Sequence, residues 1–168
     1  MDTLSHALYG GVAFGRSSRI SYGKAFFFGM APDLFSFGIF TATTVLGLVS
    51  GPDWSAGPPD PASIPHYVHV MYDLTHSLIV SGVLFGLVWL IMKKPMIELL
   101  AWPLHILVDI PTHSSAFFPT PFLWPLSDFY INGISWGHWF IFYPNILTII
   151  ALYTAWYVVR KRTRRKEV

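Results

Sequence analysis

Residues 102–113 read Trp-Pro-Leu-His-Ile-Leu-Val-Asp-Ile-Pro-Thr-His and place ionisable side chains inside an apolar run. Because an α-helix makes one turn in about 3.6 residues, His105 and Asp109 project from the same helical face. Ionisable groups at membrane depth are costly to bury, so they indicate a functional site in which they have partners. Similar apolar surroundings hold three further ionisable side chains: His6, Asp33 and His76. We predict that these side chains converge on a bound metal ion.

The composition is typical of an integral membrane protein, because only 12% of the 168 residues are charged and 53% are hydrophobic. A soluble domain has about 25% charged residues. Apolar runs long enough to cross a hydrocarbon core of about 30 Å occur at residues 25–50, 74–92, 95–112 and 139–159. The last run carries no charge, and we expect it only to pack. We predict an all-α integral membrane protein with about four transmembrane helices, formed by a single membrane-embedded domain over residues 1–159.

The N-terminal segment 3–15 is apolar but too short to cross a membrane, because a helix of this length reaches only about 20 Å. It is either a half-helix that begins inside the protein or an amphipathic helix on the cytoplasmic surface. Only the half-helix brings His6 to the predicted site. We favour the half-helix, because a helix at the interface has no need of a histidine within its apolar part.

The basic residues predict how the chain is oriented in the membrane. All eleven Lys and Arg residues fall within residues 16–24, 93–94 and 160–166. The long loops 51–73 and 114–137 contain none of them and carry aspartates instead. By the positive-inside rule, the basic groups lie in the cytoplasm and the two loops lie outside. We therefore predict a multi-pass protein of the inner (plasma) membrane, with a basic cytoplasmic tail over residues 160–168 and a site that opens toward the outer leaflet.

The residue types available for metal binding favour zinc or a similar divalent cation. The chain has no cysteine, so imidazole and carboxylate are the remaining zinc ligands. One centre is predicted from the set Asp33, His76, His105 and Asp109. Asp109 could also bridge to a second centre with His6, and His113 could add a ligand if Pro111 does not displace it. We expect one or two ions, with His105 and Asp109 in the catalytic roles.

A metal site beneath the outer leaflet suggests a hydrolase. A bound metal ion lowers the pKa of its coordinated water to about 7 and polarises a phosphoryl or carbonyl oxygen. The Gly-x-Ser-x-Gly pattern of a serine nucleophile does not occur in the sequence, so a serine-based hydrolase is not expected. We predict a metal-dependent hydrolase that cleaves a phosphodiester or ester bond of a lipid or lipid-linked substrate.

Two other functions are compatible with the same residues. The first is a non-catalytic metal-binding protein that transports or senses its ion. The second is a membrane scaffold whose basic tail recruits a cytoplasmic protein partner. A net charge of +2 is explained by the cytoplasmic basic groups, so we expect no nucleic-acid partner.

Each of three features of the sequence has more than one interpretation. Asp33 follows Pro32, which we expect to break the helical ladder, so Asp33 is a helix N-cap, a metal ligand or both. The loop 114–137 is rich in aromatic residues and proline, which suits an aromatic belt at the outer interface or a lid or lipid-binding wall over the site. His66 and His69 are expected to be exposed or interfacial, with a ligand or substrate role as the alternative.

Several short motifs together resemble the YdjM family, which is described as a family of LexA-binding, inner-membrane, metal-dependent hydrolases. The motifs are Met1-Asp2-Thr3-Leu4-Ser5-His6, Ala31-Pro32-Asp33, Thr75-His76-Ser77 and His105-Ile106-Leu107-Val108-Asp109 with Thr112-His113. The aromatic stretches 118–125 and 133–136 resemble one branch of that family. The family is in turn distantly similar to zinc-dependent phospholipase C and to related fungal zinc nucleases.

The resemblance implies a set of metal ligands in which Asp109 is the bridging carboxylate: His6, Asp33, His76, His105 and Asp109. Two departures from the family pattern stand out. Tyr72 and Asp73 occupy the place where many relatives carry an arginine. The phospholipase C and nuclease enzymes that bind three metal ions also carry a further histidine and glutamate on a later helix, and this chain has no clear counterpart of that pair. His113 is a better candidate for a further metal ligand than His138. The resemblance therefore implies one or two metal ions.

Overall fold

Helices form the regular secondary structure of this protein. The computed structural model describes residues 1–53, 55 and 57–164. Seven α-helices follow one another along this part of the chain: α1 Thr3–Phe14, α2 Arg19–Ser36, α3 Gly38–Val45, α4 His66–Thr75, α5 Leu78–Met92, α6 Ala101–Thr112 and α7 Trp139–Arg164. Short 3-10 turns over Pro61–Ser63 and Ile97–Leu100 precede α4 and α6. The predicted all-α fold is confirmed for these residues, while 165–168 of the predicted tail lie outside them.

Candidate membrane spans are fewer than the sequence predicts. In the described part of the chain, α7 alone is long and apolar enough to cross a membrane as one helix, over Trp139–Thr163. Two helix pairs qualify only if each is one bent span: α2 with α3, bent by 69°, and α4 with α5, bent by 61°. The predicted run 95–112 divides into a 3-10 turn and α6, whose 12 residues reach only about 18 Å. The described residues thus give one to three candidate spans, and the predicted four are not confirmed.

The N-terminal helix α1 packs into the helical core, against α2, α6 and α7. Two glycines permit this close contact. A Cβ on Gly29 of α2 would lie 2.5 Å from the carbonyl oxygen of His6, and a Cβ on Gly10 would lie 2.5 Å from that of Ala25. Any larger residue at either position would therefore force the two helices apart. This close packing buries His6, as the half-helix interpretation requires.

Pro32 does not break its helix, so the expected interruption before Asp33 is wrong. α2 continues through Pro32 to Ser36, and the chain bends only at Phe37. The hydroxyl groups of Ser36 and Thr75 donate to the carbonyl oxygen of Pro32, at 2.9 and 3.2 Å. Neighbouring side chains that bond to the main chain make a proline tolerable inside an apolar helix. Asp33 consequently lies within the last turns of α2 and is not an N-cap.

The aromatic loop 114–137 runs along the end of α6 and is tied to it through the main chain. The amide of Gly133 donates to the carbonyl of His113 at 2.8 Å, and the amide of Trp136 donates to that of Thr112 at 2.9 Å. A Cβ on Gly133 would lie 2.3 Å from the carbonyl oxygen of Pro111, so only glycine permits this approach. The loop is therefore a fixed wall beside the end of α6.

Candidate metal centre

Four predicted side chains meet in one buried cluster. His105 and Asp109 come from one face of α6 and are 1% and 0% exposed. Asp33 comes from the last turns of α2, and His76 lies at the bend between α4 and α5. One ligand atom from each of the four lies within 4.8 Å of the others. The structure thus brings together the predicted first centre, and the group could hold a metal ion.

Five of the six separations between the four ligand atoms are close to those of tetrahedral coordination. His105 Nε2 lies 3.2 Å from His76 Nε2 and 3.1 Å from Asp109 Oδ2. Asp33 Oδ1 lies 3.4 Å from His76 Nε2 and 3.6 Å from His105 Nε2. Asp109 Oδ2 lies 3.7 Å from His76 Nε2. Zinc bonds of about 2.0–2.2 Å in a tetrahedron separate the ligand atoms by about 3.3–3.6 Å. Three of these five separations exceed ordinary hydrogen-bonding distance, so hydrogen bonds alone do not account for the grouping, and the four atoms could hold a shared cation.

Main-chain carbonyls orient both imidazole rings of this cluster. His105 Nδ1 lies 2.7 Å from the carbonyl oxygen of Gly29, and His76 Nδ1 lies 3.2 Å from that of Tyr72. A carbonyl oxygen only accepts, so each Nδ1 donates, and a neutral ring then keeps a lone pair on Nε2. The Nε2 lone pairs of the two histidines face the two carboxylates, and a cation between these four groups would stabilise their arrangement. Asp109 Oδ2 is moreover buried without a hydrogen-bond partner, as suits a metal ligand.

Neighbouring side chains hold these ligands in place. The hydroxyl of Thr3 donates to Asp33 Oδ2 at 2.7 Å, which leaves Oδ1 of that carboxylate to face the histidines. Thr75 Oγ1 lies 3.1 Å from His76 Nδ1, and the ring of Tyr72 stacks on that of His76 at 3.8 Å. Such contacts fix the orientation of metal-binding rings. Thr75 thus contacts the ligand His76, and Tyr72, which stacks on the same ring, was not among the predicted site residues.

A second group of side chains surrounds the other oxygen of Asp109. His6 Nε2 lies 2.8 Å and His113 Nε2 lies 3.3 Å from Asp109 Oδ1. The amino group of Met1 contacts the same oxygen and lies 3.0 Å from His113 Nε2. Nδ1 of His6 is buried without a partner. His6 and His113 therefore both reach Asp109, and the proline inside α6 does not displace His113.

The remaining histidines lie away from the cluster. His66 and His138 are exposed. His69 is half-buried, where its Nε2 lies 3.0 Å from the carbonyl oxygen of Pro61 and its ring stacks on that of Phe118 at 4.6 Å. These three histidines do not belong to the described cluster, and a substrate role for His66 or His69 stays a prediction.

A cavity of about 780 Å³ adjoins the cluster. Asp33 and His113 line it together with apolar and aromatic side chains that include Phe37, Phe40, Val45, Ile64, Phe118 and Trp136. Its volume lies within the range of about 300–1,000 Å³ found for small-molecule sites. Both long loops contribute to the lining, so the loop 114–137 forms a wall of the site. Its alternative role as an aromatic belt stays a prediction.

Asn145 connects the last helix to the site, although the sequence predicts that this helix only packs. Its Nδ2 donates to Ser5 Oγ at 2.8 Å, and its Oδ1 accepts from the hydroxyl of Tyr9 at 2.8 Å. Ser5 Oγ donates in turn to the carboxylate of Asp2 at 2.5 Å. A lone amide inside an apolar helix is the signal that would have identified this contact.

Comparisons of the chain with protein-family models, with curated proteins and with solved structures found no match. Any functional conclusion therefore depends on the cluster, the cavity and the helices around them.

Proposed function

We propose that this protein is a membrane-embedded, metal-dependent hydrolase that cleaves a phosphodiester or ester bond of a lipid or lipid-linked substrate. The observation that carries the proposal is the close grouping of two imidazole nitrogens and two carboxylate oxygens next to an apolar cavity. These donors suit zinc or a similar divalent ion. When bound, such an ion would supply an activated water and a Lewis acid for the substrate oxygen.

The exposure of the ligands favours a catalytic over a purely structural metal site. Four protein ligands fill a tetrahedral zinc site, so catalysis requires a fifth coordination position, or one vacated by a ligand, on the exposed side of the ion. The side chains of His76, His105 and Asp109 are fully buried, but those of Asp33 and His113 are 15% and 12% exposed. Both exposed residues line the cavity. A substrate in the cavity would therefore reach the cluster on the side of Asp33 and His113.

Asp109 has a central role in this proposal, because its two oxygens face different groups. Oδ2 faces His76 and His105, whereas Oδ1 faces His6 and His113. A carboxylate in this position can bridge two ions, and we expect one or two ions per chain. His105 and Asp109 would hold the ion against the reacting bond, and Asp33 would complete the first centre.

A lipid substrate is supported by the cavity and by the helices next to it. The cavity lining is mostly apolar and aromatic, which suits a hydrocarbon chain better than a free polar metabolite. α7 is apolar enough to cross a membrane, and it exposes large apolar side chains such as Leu147. We propose a multi-pass protein of the inner membrane, related to the YdjM family, with its long loops and its cavity toward the outer leaflet.

The first test is the metal content of the protein, purified in mild detergent without chelator or affinity-tag metal. We expect one or two equivalents of zinc or a similar ion in the wild type, and a loss of at least half in His105→Ala and in Asp109→Ala. His66→Ala is the matched control, because His66 is exposed and lies outside the cluster. Metal-free wild type, with all variants equally stable, would refute the metal-dependent mechanism.

The second test separates catalysis from the other functions. The metal-loaded protein would be assayed on a panel of lipid phosphodiesters and esters, with and without a chelator. Chelator-sensitive turnover supports the hydrolase. A protein that holds its ion but turns over none of these lipids would favour the transport or sensing role. Loss of a cytoplasmic partner on deletion of residues 160–168 would favour the scaffold.

A further inference from the structure

A second cavity, of about 380 Å³, lies among three helix ends and is lined by arginines. We call it the arginine cavity, and its lining residues are Arg16, Ser17, Ser18, Arg19, Tyr22, Trp156 and Arg160. Arg16 follows the end of α1, Ser18 caps the start of α2, and Arg160 lies in the last turns of α7. None of these residues takes part in the metal cluster or lines its cavity. The arginine cavity is therefore a separate site.

The positive charge of the arginine cavity is not neutralised within the described part of the chain. Its lining contains three arginines and no carboxylate. None of the ion pairs among the described residues involves Arg16, Arg19 or Arg160. Three guanidinium groups around one small cavity repel one another unless an anion lies between them. The cavity thus favours an anionic ligand.

The donors in the arginine cavity suit a phosphate group in particular. Arg16 is oriented by a hydrogen bond from its Nε to the carbonyl oxygen of Val12, so its terminal nitrogens are held ready for a ligand. Ser18 Oγ accepts from the amide of Ser21 at 3.0 Å, which leaves the hydroxyl hydrogen free to donate. The first amides of α2 lie at the same place, and helix N-termini bind phosphate. Arginine pairs with phosphate through two parallel hydrogen bonds.

The aromatic side of the cavity points to the membrane surface. The rings of Tyr22 and Trp156 stack at 5.8 Å with an interplanar angle of 18°. The hydroxyl of Tyr22 lies 2.7 Å from that of Tyr153, which donates to the carbonyl oxygen of Leu8 at 3.0 Å. Trp and Tyr are enriched where a membrane helix meets water, and Trp156 lies near the end of the candidate span in α7. The aromatic wall therefore lies at headgroup height if α7 crosses the membrane.

We propose that the arginine cavity binds a phosphate group, of the kind that an anionic phospholipid headgroup presents at the membrane surface. The arginines and the Ser18 hydroxyl would hold the phosphate, and Tyr22 and Trp156 would contact the apolar part of the same lipid. Basic cavities between membrane helices bind anionic headgroups in this way. The proposal does not depend on the metal centre or on hydrolysis.

The test measures lipid binding by native mass spectrometry of the full-length protein in mild detergent. Phosphatidylglycerol is titrated against phosphatidylcholine, and inorganic phosphate is titrated separately. We expect one tightly bound phosphatidylglycerol per chain in the wild type. Arg16→Gln with Arg160→Gln should weaken it on the order of thirtyfold, from the usual contribution of two basic residues near anionic lipid. Lys161→Gln with Arg162→Gln removes the same charge outside the cavity and should weaken it less than threefold.

Each outcome decides the proposal. Equal weakening in the two double variants would overturn it, because general surface attraction would then explain the binding. Equal binding of the two lipids, without arginine-dependent binding of inorganic phosphate, would also overturn it, because the arginines would then select no anionic group. Arginine-dependent binding of inorganic phosphate with no preference for phosphatidylglycerol would keep the phosphate site but assign it to a soluble phosphate. An unchanged thermal unfolding temperature in mild detergent shows that the Arg16→Gln with Arg160→Gln variant is folded. A variant that unfolds at a lower temperature is replaced by Arg160→Gln alone, for which we expect on the order of fivefold weakening.

Discussion

α6 and α7 differ in length, in burial and in chemistry. α6 has 12 residues and buries both His105 and Asp109. α7 has 26 residues, and only 6% of its most apolar window is buried inside the protein. The shorter helix thus carries the ligands, and the longer helix has little contact with the rest of the described chain.

The difference shows that hydropathy does not predict burial within this protein. Around an apolar helix in a membrane, lipid tails replace protein as the solvent, so apolar side chains have no reason to turn inward. α7 instead contacts α1 through polar atoms of Asn145 and Tyr153. α6 is buried because its ionisable groups need partners that lipid cannot provide. The effects of substitutions in and around the two helices should therefore differ in kind as well as in size.

The largest effect is expected from Asp109→Asn in α6. An amide cannot replace the charge that both groups of histidines face, so we expect metal affinity to fall at least about 100-fold. Turnover of any lipid substrate should fall below detection while the protein stays folded. Metal analysis and the lipid assay measure the two effects. Asp128→Asn, in an exposed carboxylate of the loop, should change neither; full activity of Asp109→Asn would contradict the proposed mechanism.

A smaller but clear effect is expected from Gly29→Ala, which removes the close contact between α1 and α2. The new methyl group would lie 2.5 Å from the carbonyl oxygen of His6, and overpacking of this kind costs about 1–3 kcal/mol. The metal content should also fall, because His6 moves away from Asp109. Thermal unfolding in detergent and metal analysis measure both quantities.

The control for that experiment is Gly82→Ala in α5, where a Cβ would meet no atom within 4 Å. This variant should retain the stability and the metal content of the wild type. If Gly29→Ala behaves like Gly82→Ala, then α1 does not need its close contact with α2 to deliver His6.

Asn145→Leu tests the polar connection of α7 and should have a moderate effect. The substitution leaves Ser5 and Tyr9 without their amide partner, and we expect a loss of about 0.5–1.5 kcal/mol in the free energy of unfolding. The metal content should hardly change, because no ligand is altered. A double-mutant cycle with Ser5→Ala would measure the coupling; strictly additive losses would mean that the two side chains do not interact.

The smallest effect is expected from Leu147→Ala on the exposed side of α7. Leu147 is 65% exposed, so its removal should change the free energy of unfolding by less than about 0.5 kcal/mol. Ile106→Ala in α6, where the side chain is fully buried, should cost about 2–5 kcal/mol. Equal losses in the two variants would remove the contrast between α6 and α7.

The sequence predicts the features of this protein that depend on local spacing. The four-residue separation of His105 and Asp109 placed them on one helical face, and both line the cluster. The uncharged run 139–159 predicted α7, which extends to Arg164. The rarity of ionisable groups in apolar surroundings also selected Asp33 and His76. Local spacing and burial cost are properties of the chain itself, so no tertiary contact is needed to infer them.

The features that sequence could not predict depend on contacts between distant segments. Hydropathy does not show that the chain bends at Phe37 and next to His76, or that Pro32 stays inside α2. The hydroxyls of Ser36 and Thr75, which donate to the carbonyl of Pro32, support the proline inside α2. The stacking of Tyr72 on His76 likewise follows from a bend that brings consecutive helices to the site. A count of apolar residues therefore overestimates the number of straight spans.

The order of the ligands along the chain has a consequence for biosynthesis. The four clustered residues run from Asp33 to Asp109, and all of them precede α7. During translation the cluster cannot form until α6 has left the ribosome, but it needs no part of α7. A metal ion bound at that stage would close a long stretch of chain into a loop and stabilise the nascent fold. Metal supply during synthesis would thereby influence how much protein survives quality control before its last helix is made.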